Sequence, residues 1–129
     1  MGDTSKYTLI GTITARIASI KNFKYQGEVY AAPGILKHIK KHNSKFSQAI
    51  LNDLLGTMQL ILSNPDYVGC DPDEEGTSLE LIKKIDNNIL LALQFDTKDN
   101  YIYVASLYPI TEGKLNNRLH SKRILKVNS

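Results

Sequence analysis

In the stretch Gly34-Ile-Leu-Lys-His-Ile-Lys-Lys-His42 two histidines stand four residues apart. On a helix that spacing sets His38 and His42 one above the other on a single face, with Ile35 and Ile39 on the same side. Lys37, Lys40 and Lys41 surround the pair with positive charge. Two partly sheltered imidazoles in a cationic setting can move protons near neutral pH beside an anionic substrate. The plainer alternative is a pair of solvated histidines on a basic helix.

A second group lies far along the chain, in Tyr101-Ile-Tyr-Val-Ala-Ser-Leu-Tyr-Pro. As a strand, its period of two predicts that Ile102, Val104, Ser106 and Tyr108 share one face. The first two suit a core and the last two carry hydroxyls, as at a site on the end of a sheet. Immediately afterwards come Lys114, Arg118, Lys122 and Arg123. Arginine grips a phosphate with a planar fork, and lysine acts as a point charge. Lys114 and Arg118 are four apart, so a helical turn would align them. Solvated surface charge is the ordinary reading of any one of these four. Together, directly after the Ser/Tyr strand, they form a candidate anion grip, with Lys37, Lys41, Lys122 and Arg123 as outlying substrate contacts.

Other chemistries find little support. His38 and His42 have the spacing of a zinc-protease helix, but Ile39 stands where that motif needs its glutamate. His120 is the only further histidine and Cys70 the only cysteine, so no metal ligands and no internal disulfide are expected. Asp71-Pro-Asp-Glu-Glu-Gly lacks calcium-loop spacing and reads as a solvated turn. There is no phosphate-loop motif, dinucleotide fingerprint or nucleophile elbow, and no cofactor is expected.

The elements that must position these residues follow from patterning. At 129 residues the chain is expected to be one domain. No apolar run is long enough to span a membrane and the N-terminus lacks a secretory signal, so a cytoplasmic protein is expected. Net charge is +3, unevenly spread: +6 over residues 1–45, −7 over 46–100 and +4 over 101–129. If the two basic ends meet in space, the molecule has a cationic face that attracts a polyanion such as RNA, and an anionic back. Residues 7–20 read as a short strand with a weaker continuation to Ile20, and residues 28–32 as a short extended piece. Pro33 opens the histidine helix. Residues 46–63 carry a helical apolar face through Phe46, Ile50, Leu54, Met58 and Ile61, with Asn43 or Ser44 as cap and Pro65 as stop. Strands are predicted at about 78–85, 88–95 and 101–108, then a polar, weakly helical stretch over 111–122, and a last strand in Arg123-Ile-Leu-Lys-Val. Helices followed by an antiparallel meander argue an α+β fold.

The run Val29-Tyr-Ala-Ala-Pro-Gly-Ile-Leu-Lys-His-Ile-Lys-Lys-His, the helix end Ile61-Leu-Ser-Asn-Pro-Asp-Tyr-Val, the strand Val104-Ala-Ser-Leu-Tyr-Pro-Ile and the basic tail from Arg118 to Leu125 resemble one known family. It is the phage-associated branch of the barnase–EndoU–colicin–RelE superfamily of small RNases. The likeness covers about residues 27–127, leaving residues 1–26 as an N-terminal strand and loop extension. The resemblance implies N-terminal helices packed on a four-stranded antiparallel sheet that carries the active site. It implies a catalytic set drawn from His38 or His42, Ser106, Tyr108, Lys114 and Arg118.

The expected activity is metal-independent cleavage of RNA, tRNA among the candidates. The RNA's own 2′-hydroxyl would attack and leave a 2′,3′-cyclic phosphate. The family also implies a phage or bacterial conflict toxin and an acidic immunity or antitoxin partner. Three rivals stand beside this reading: a non-catalytic basic nucleic-acid-binding module, a metal-dependent nuclease, and an interaction protein that docks a partner on its acidic middle segment.

Overall fold

In the structure, a computed structural model, residues 7–42 and 45–127 are described, apart from the side chain of His42. The elements run β1 (Thr8–Ile13), α1 (Ala15–Ile20), β2 (Gly27–Ala31), α2 (Pro33–His42), α3 (Gln48–Asn52), α4 (Leu54–Ser63) and β3 (Tyr67–Gly69). A 3-10 turn (Pro72–Glu74) leads to β4 (Ser78–Ile85), β5 (Asn87–Asp96), β6 (Tyr101–Ile110), α5 (Glu112–His120) and β7 (Ile124–Lys126).

The described strands form one seven-stranded sheet in the order β1-β2-β6-β5-β4-β3-β7. It is antiparallel throughout except where β2 runs parallel to β6. The α+β class holds, but a four-stranded sheet behind N-terminal helices does not. The family-like meander gains β1 and β2 on one side and β3 and β7 on the other. One helix, α5, follows the meander instead of preceding it.

Two further expectations are corrected. The weak strand continuation to Ile20 is instead α1, because the Thr14 hydroxyl accepts from the Ile17 N–H and ends the strand with a helix cap. The single helix over 46–63 is two, broken at Asp53, which closes α3 and caps α4 by accepting from the Gly56 N–H at 3.0 Å. Ser47 caps α3, while Asn43 and Ser44 lie outside the described residues. The apolar spacing across residues 46–63 survives the break because both pieces bury the same side: Ile50, Leu54, Met58 and Ile61 are all in the core.

That core lies on what we call the inner face of the sheet. There α1, α3 and α4, with Ile39 of α2, pack on Val29, Leu81, Ile89, Leu91, Leu93, Ile102, Val104 and Leu107. The outer face is covered only in part. Leu115 of α5 joins Ile82, Leu90, Ile110 and Ile124 in a second, smaller cluster, bordered by Tyr67, Ala92, Tyr108 and Leu119. Among the described residues no helix covers the rest of the outer face.

One irregularity decides what that open face carries. Between β5 and β6 the register runs Leu93↔Val104 and then Ala92↔Ser106, so Ala105 is an extra residue, a β-bulge. The bulge reverses the pleat. Ile102 and Val104 face the core, whereas Ser106 and Tyr108 face outward with Tyr101 and Tyr103. Ser106 and Tyr108 therefore do not share a face with Ile102 and Val104, as strict alternation predicts. Leu107 takes the inward position instead, and the apolar sequence spacing 102, 104, 107 reflects that shift.

A candidate phosphate-binding site on the open sheet face

Beside α5, the outer face is laid out by strand register. Ser106 of β6, Ala92 of β5 and Glu80 of β4 form one row across three neighbouring strands, and Tyr108, Leu90 and Ile82 form the next. Ala92 is small, so the floor between Ser106 and Glu80 is low. With strands about 4.8 Å apart, the two polar side chains stand roughly 10 Å from one another.

Glu80 is the unexpected member. Its side chain is 8% exposed, yet it is an acid in the middle of a sheet. Two arginines account for it. Glu80 Oε1 accepts from Arg118 Nη1 at 2.9 Å and from Arg123 Nε at 3.0 Å, and Oε2 accepts from Arg123 Nη2 at 2.8 Å. The side chains of Arg118 and Arg123 are 19% and 28% exposed. The bond to Glu80 is the main cause that lifts the Arg123 pKa above its ordinary value. A buried carboxylate is costly unless fully paired. Here it engages three guanidinium nitrogens and leaves one net positive charge on the cluster. Arg118 comes from the last turns of α5 and Arg123 from the residue before β7, so one strand and two tail segments build the group.

Gly69 of β3 makes room for this. A side chain there would meet the Arg123 carbonyl oxygen at 2.6 Å, so the glycine lets β7 close against β3 and brings Arg123 back over the sheet.

The remaining predicted residues are placed as follows. Tyr108 borders the smaller cluster and is half-buried, and its phenol is among the groups that act on Arg123. Lys114 is exposed and does not join Arg118 over Glu80. It lines a separate hollow of about 420 Å³ at the end of β6, together with Lys45, Lys84 and Pro109. Lys122 is exposed, and its backbone carbonyl accepts from Lys21 Nζ at 3.0 Å. On the other flank, α2 packs beside β6. His38 is exposed and shares a hollow with Tyr7, Tyr101, Tyr103 and Ala105. Lys37 and Lys41 are exposed on the same helix. His42 ends α2, and its side chain lies outside the description.

The two distant parts of the chain are not brought into one hollow. The helix α2 packs beside β6, with His38 next to Tyr101 and Tyr103, whereas Arg118 and Arg123 sit over Glu80 of β4, with β5 between the two strands. Nor is the charge separation front against back. Glu28 and Asp96 lie on the same outer face as the arginines, toward the β1–β2 side of the sheet, and Glu74 reaches that face to accept from Gln94.

Sequence reasoning missed Glu80. The signal was there: an acid flanked by Leu79, Leu81 and Ile82 in an apolar run is a charge that burial will force to find partners.

An arginine pair held by a shared carboxylate on an open antiparallel sheet, with hydroxyls and a histidine helix alongside, is suited to gripping a phosphodiester. These features describe an α+β protein with a candidate phosphate-binding face. Residues 8–117 match the family described as phage-Barnase-EndoU-ColicinE5/D-RelE like nuclease 3, and the chain belongs to that family of nucleases. No curated protein and no solved structure matches it. Among the described residues no helix is long and apolar enough to cross a membrane.

Proposed function

We propose that this nuclease is an endoribonuclease that cuts RNA by attack of the 2′-hydroxyl on the neighbouring phosphorus, without a metal ion. The observation that carries this reading is the Arg118–Glu80–Arg123 cluster, exposed at one edge and set in the same row as Ser106. Glu80 fixes one side of each guanidinium. Arg118 Nε and Nη2 and Arg123 Nη1 are not used on Glu80, and they are the donors for a phosphate. Two fixed guanidiniums favour the extra charge that develops on phosphorus, the kind of stabilisation that usually gives the largest rate gain.

A histidine of α2, with His42 preferred, takes the proton from the 2′-oxygen. That oxygen bonds to phosphorus, the bond to the 5′-oxygen breaks, and Tyr108 or the other histidine returns a proton to the leaving oxygen. The products are a 2′,3′-cyclic phosphate and a 5′-hydroxyl. Ser106 orients the phosphate, and Lys114 with Lys45 adds positive potential where the strand of RNA leaves the sheet.

The test is incubation with total tRNA and rRNA in EDTA, followed by analysis of cleavage sites and end groups. Cleavage with cyclic-phosphate ends is expected. His42→Ala and Arg118→Ala should each slow it at least tenfold. The first should do so at little cost in stability. The second should cost about 1 kcal/mol, since Arg123 still engages both oxygens of Glu80. Intact RNA that binds in a salt-sensitive way would make this a binding module, and cleavage abolished by EDTA would make it a metal-dependent nuclease.

A further inference from the structure

Of the seven tyrosines in the chain, all but Tyr25 face the outer side of the sheet, and four of them gather where β6 meets β2. Tyr7 and Tyr101 have ring centroids 6.0 Å apart, and Tyr101 and Tyr103 5.6 Å apart. Tyr30 stands beside Tyr103 in the parallel register of β2 and β6. With His38, Ile35 and Ala105, three of these rings line a hollow of about 540 Å³. A second hollow of about 310 Å³ lies between Tyr30 and Tyr101. None of this belongs to the arginine cluster. Yet the bulge at Ala105 puts Tyr103 on the same face as Ser106, roughly 10 Å further back along the strand at about 3.3 Å per residue.

We propose that this tyrosine ledge is a stacking subsite for an unpaired nucleobase of the strand whose phosphate sits at Arg118 and Arg123, so that the preferred substrate is single-stranded at the cut. The proposal rests on the nuclease reading of the arginine cluster. Charge distinguishes what the ledge takes. The ionised groups that bear on Tyr101 and Tyr103 are acidic, Asp96 and Asp99 on the first and Asp96 and Glu74 on the second, and Glu28 accepts from the Tyr30 hydroxyl at 3.2 Å. A phosphate is repelled there, while an uncharged aromatic ring is not. Burial chiefly raises the pKa of both Tyr101 and Tyr103; the bond with Tyr7 comes next for Tyr101, and the carboxylates of Asp96 and Glu74 come next for Tyr103. The surface thus divides into a cationic end for the backbone and an aromatic, anionic end for a base. Stacking of this kind tolerates any base, because every base has a π-face.

The test uses short 2′-fluoro oligoribonucleotides, which have no 2′-hydroxyl to attack, either intact or carrying abasic positions. The full chain should bind the intact oligomer at least fivefold more tightly than the abasic one. Tyr101→Leu and Tyr103→Leu should erase that difference, while Tyr101→Phe and Tyr103→Phe, which keep the ring, should retain it. Circular dichroism of each Leu variant separates loss of the subsite from loss of the fold, and the Phe variants keep the test decisive if a Leu variant unfolds. Equal affinity for intact and abasic oligomers, or a difference that the folded Leu variants keep, overturns the proposal. So does a lysine- and arginine-rich peptide that competes at the ledge but leaves abasic binding unchanged. The two readings fail separately: unmodified RNA left uncut with the abasic penalty intact removes the ribonuclease and keeps the ledge, and cut RNA without the penalty does the reverse.

Discussion

The chemistry of the outer face turns on a carboxylate that no nuclease motif marks. Glu80 converts two long, flexible cations into fixed ones, and its own burial is offset by Arg123 on both oxygens and by Arg118 on one. Glu80→Gln keeps the shape and removes the charge, leaving two guanidiniums side by side without a counter-ion. Allowing for their partial exposure, the expected loss of stability is about 1–3 kcal/mol by urea denaturation, with RNA cleavage reduced at least tenfold. A destabilised variant that cleaves normally would take Glu80 out of the site.

Tyr101 gives a second residue-level expectation. Its pKa is pushed up from 10.0 to about 12, first by burial and then by its bond with Tyr7. The unfolded chain therefore loses this proton before the folded one does, and stability should fall as pH rises between about 10 and 12. Melting temperature against pH should show that decline, and Tyr101→Phe should make it shallower. At this scale the sequence was informative about residue type and silent about partners. Ser106, Tyr108, Arg118 and Arg123 stand out by composition, but the pairing of the arginines to each other through Glu80, and not of Arg118 to Lys114, is a long-range contact across 38 and 43 residues.

Among the elements, β6 matters most, and its bulge carries the argument. Alternation predicts the hydroxyls of Ser106 and Tyr108 on the side of Ile102 and Val104, which would bury them in the core. One added residue turns them outward and lets Leu107 fill the inward place. Deleting Ala105 should restore strict alternation and drive Leu107 outward. The expected result is a loss of about 3 kcal/mol or more, a melting temperature lower by about 10 °C, and no detectable cleavage, with strand signal retained in circular dichroism. Ala105→Gly, which keeps the count, should behave nearly as the native chain. The helices illustrate the same division between local and non-local signals. The strong apolar period of α4 and Pro33 at the start of α2 are legible because they are local. The breaks at Thr14 and Asp53 depend on one side chain capturing one N–H, and no periodicity reveals that. The three-residue strand β3 is too short to show a pattern of its own and exists by pairing with β4 and β7, whereas β7 lies within the strand predicted at residues 123–127.

For the whole molecule, the topology brings the first helix after β2 and the last helix before β7 to opposite margins of one strand, β6. The arrangement follows from β2 lying parallel to β6: its crossover delivers α2 along the far half of that strand, where β2 no longer runs. Composition suggested that the two basic ends meet; the contact between their charged residues is Lys21 Nζ donating to the Lys122 carbonyl at 3.0 Å, while α2 and the arginine cluster stay apart. It did not suggest that acids would share their face, because net charge by segment does not say which way a strand's side chains point. The Arg118–Glu80–Arg123 cluster also acts as a fastener: it ties α5 and the turn before β7 to β4, so weakening it should loosen the C-terminal segments from the sheet before the meander itself gives way.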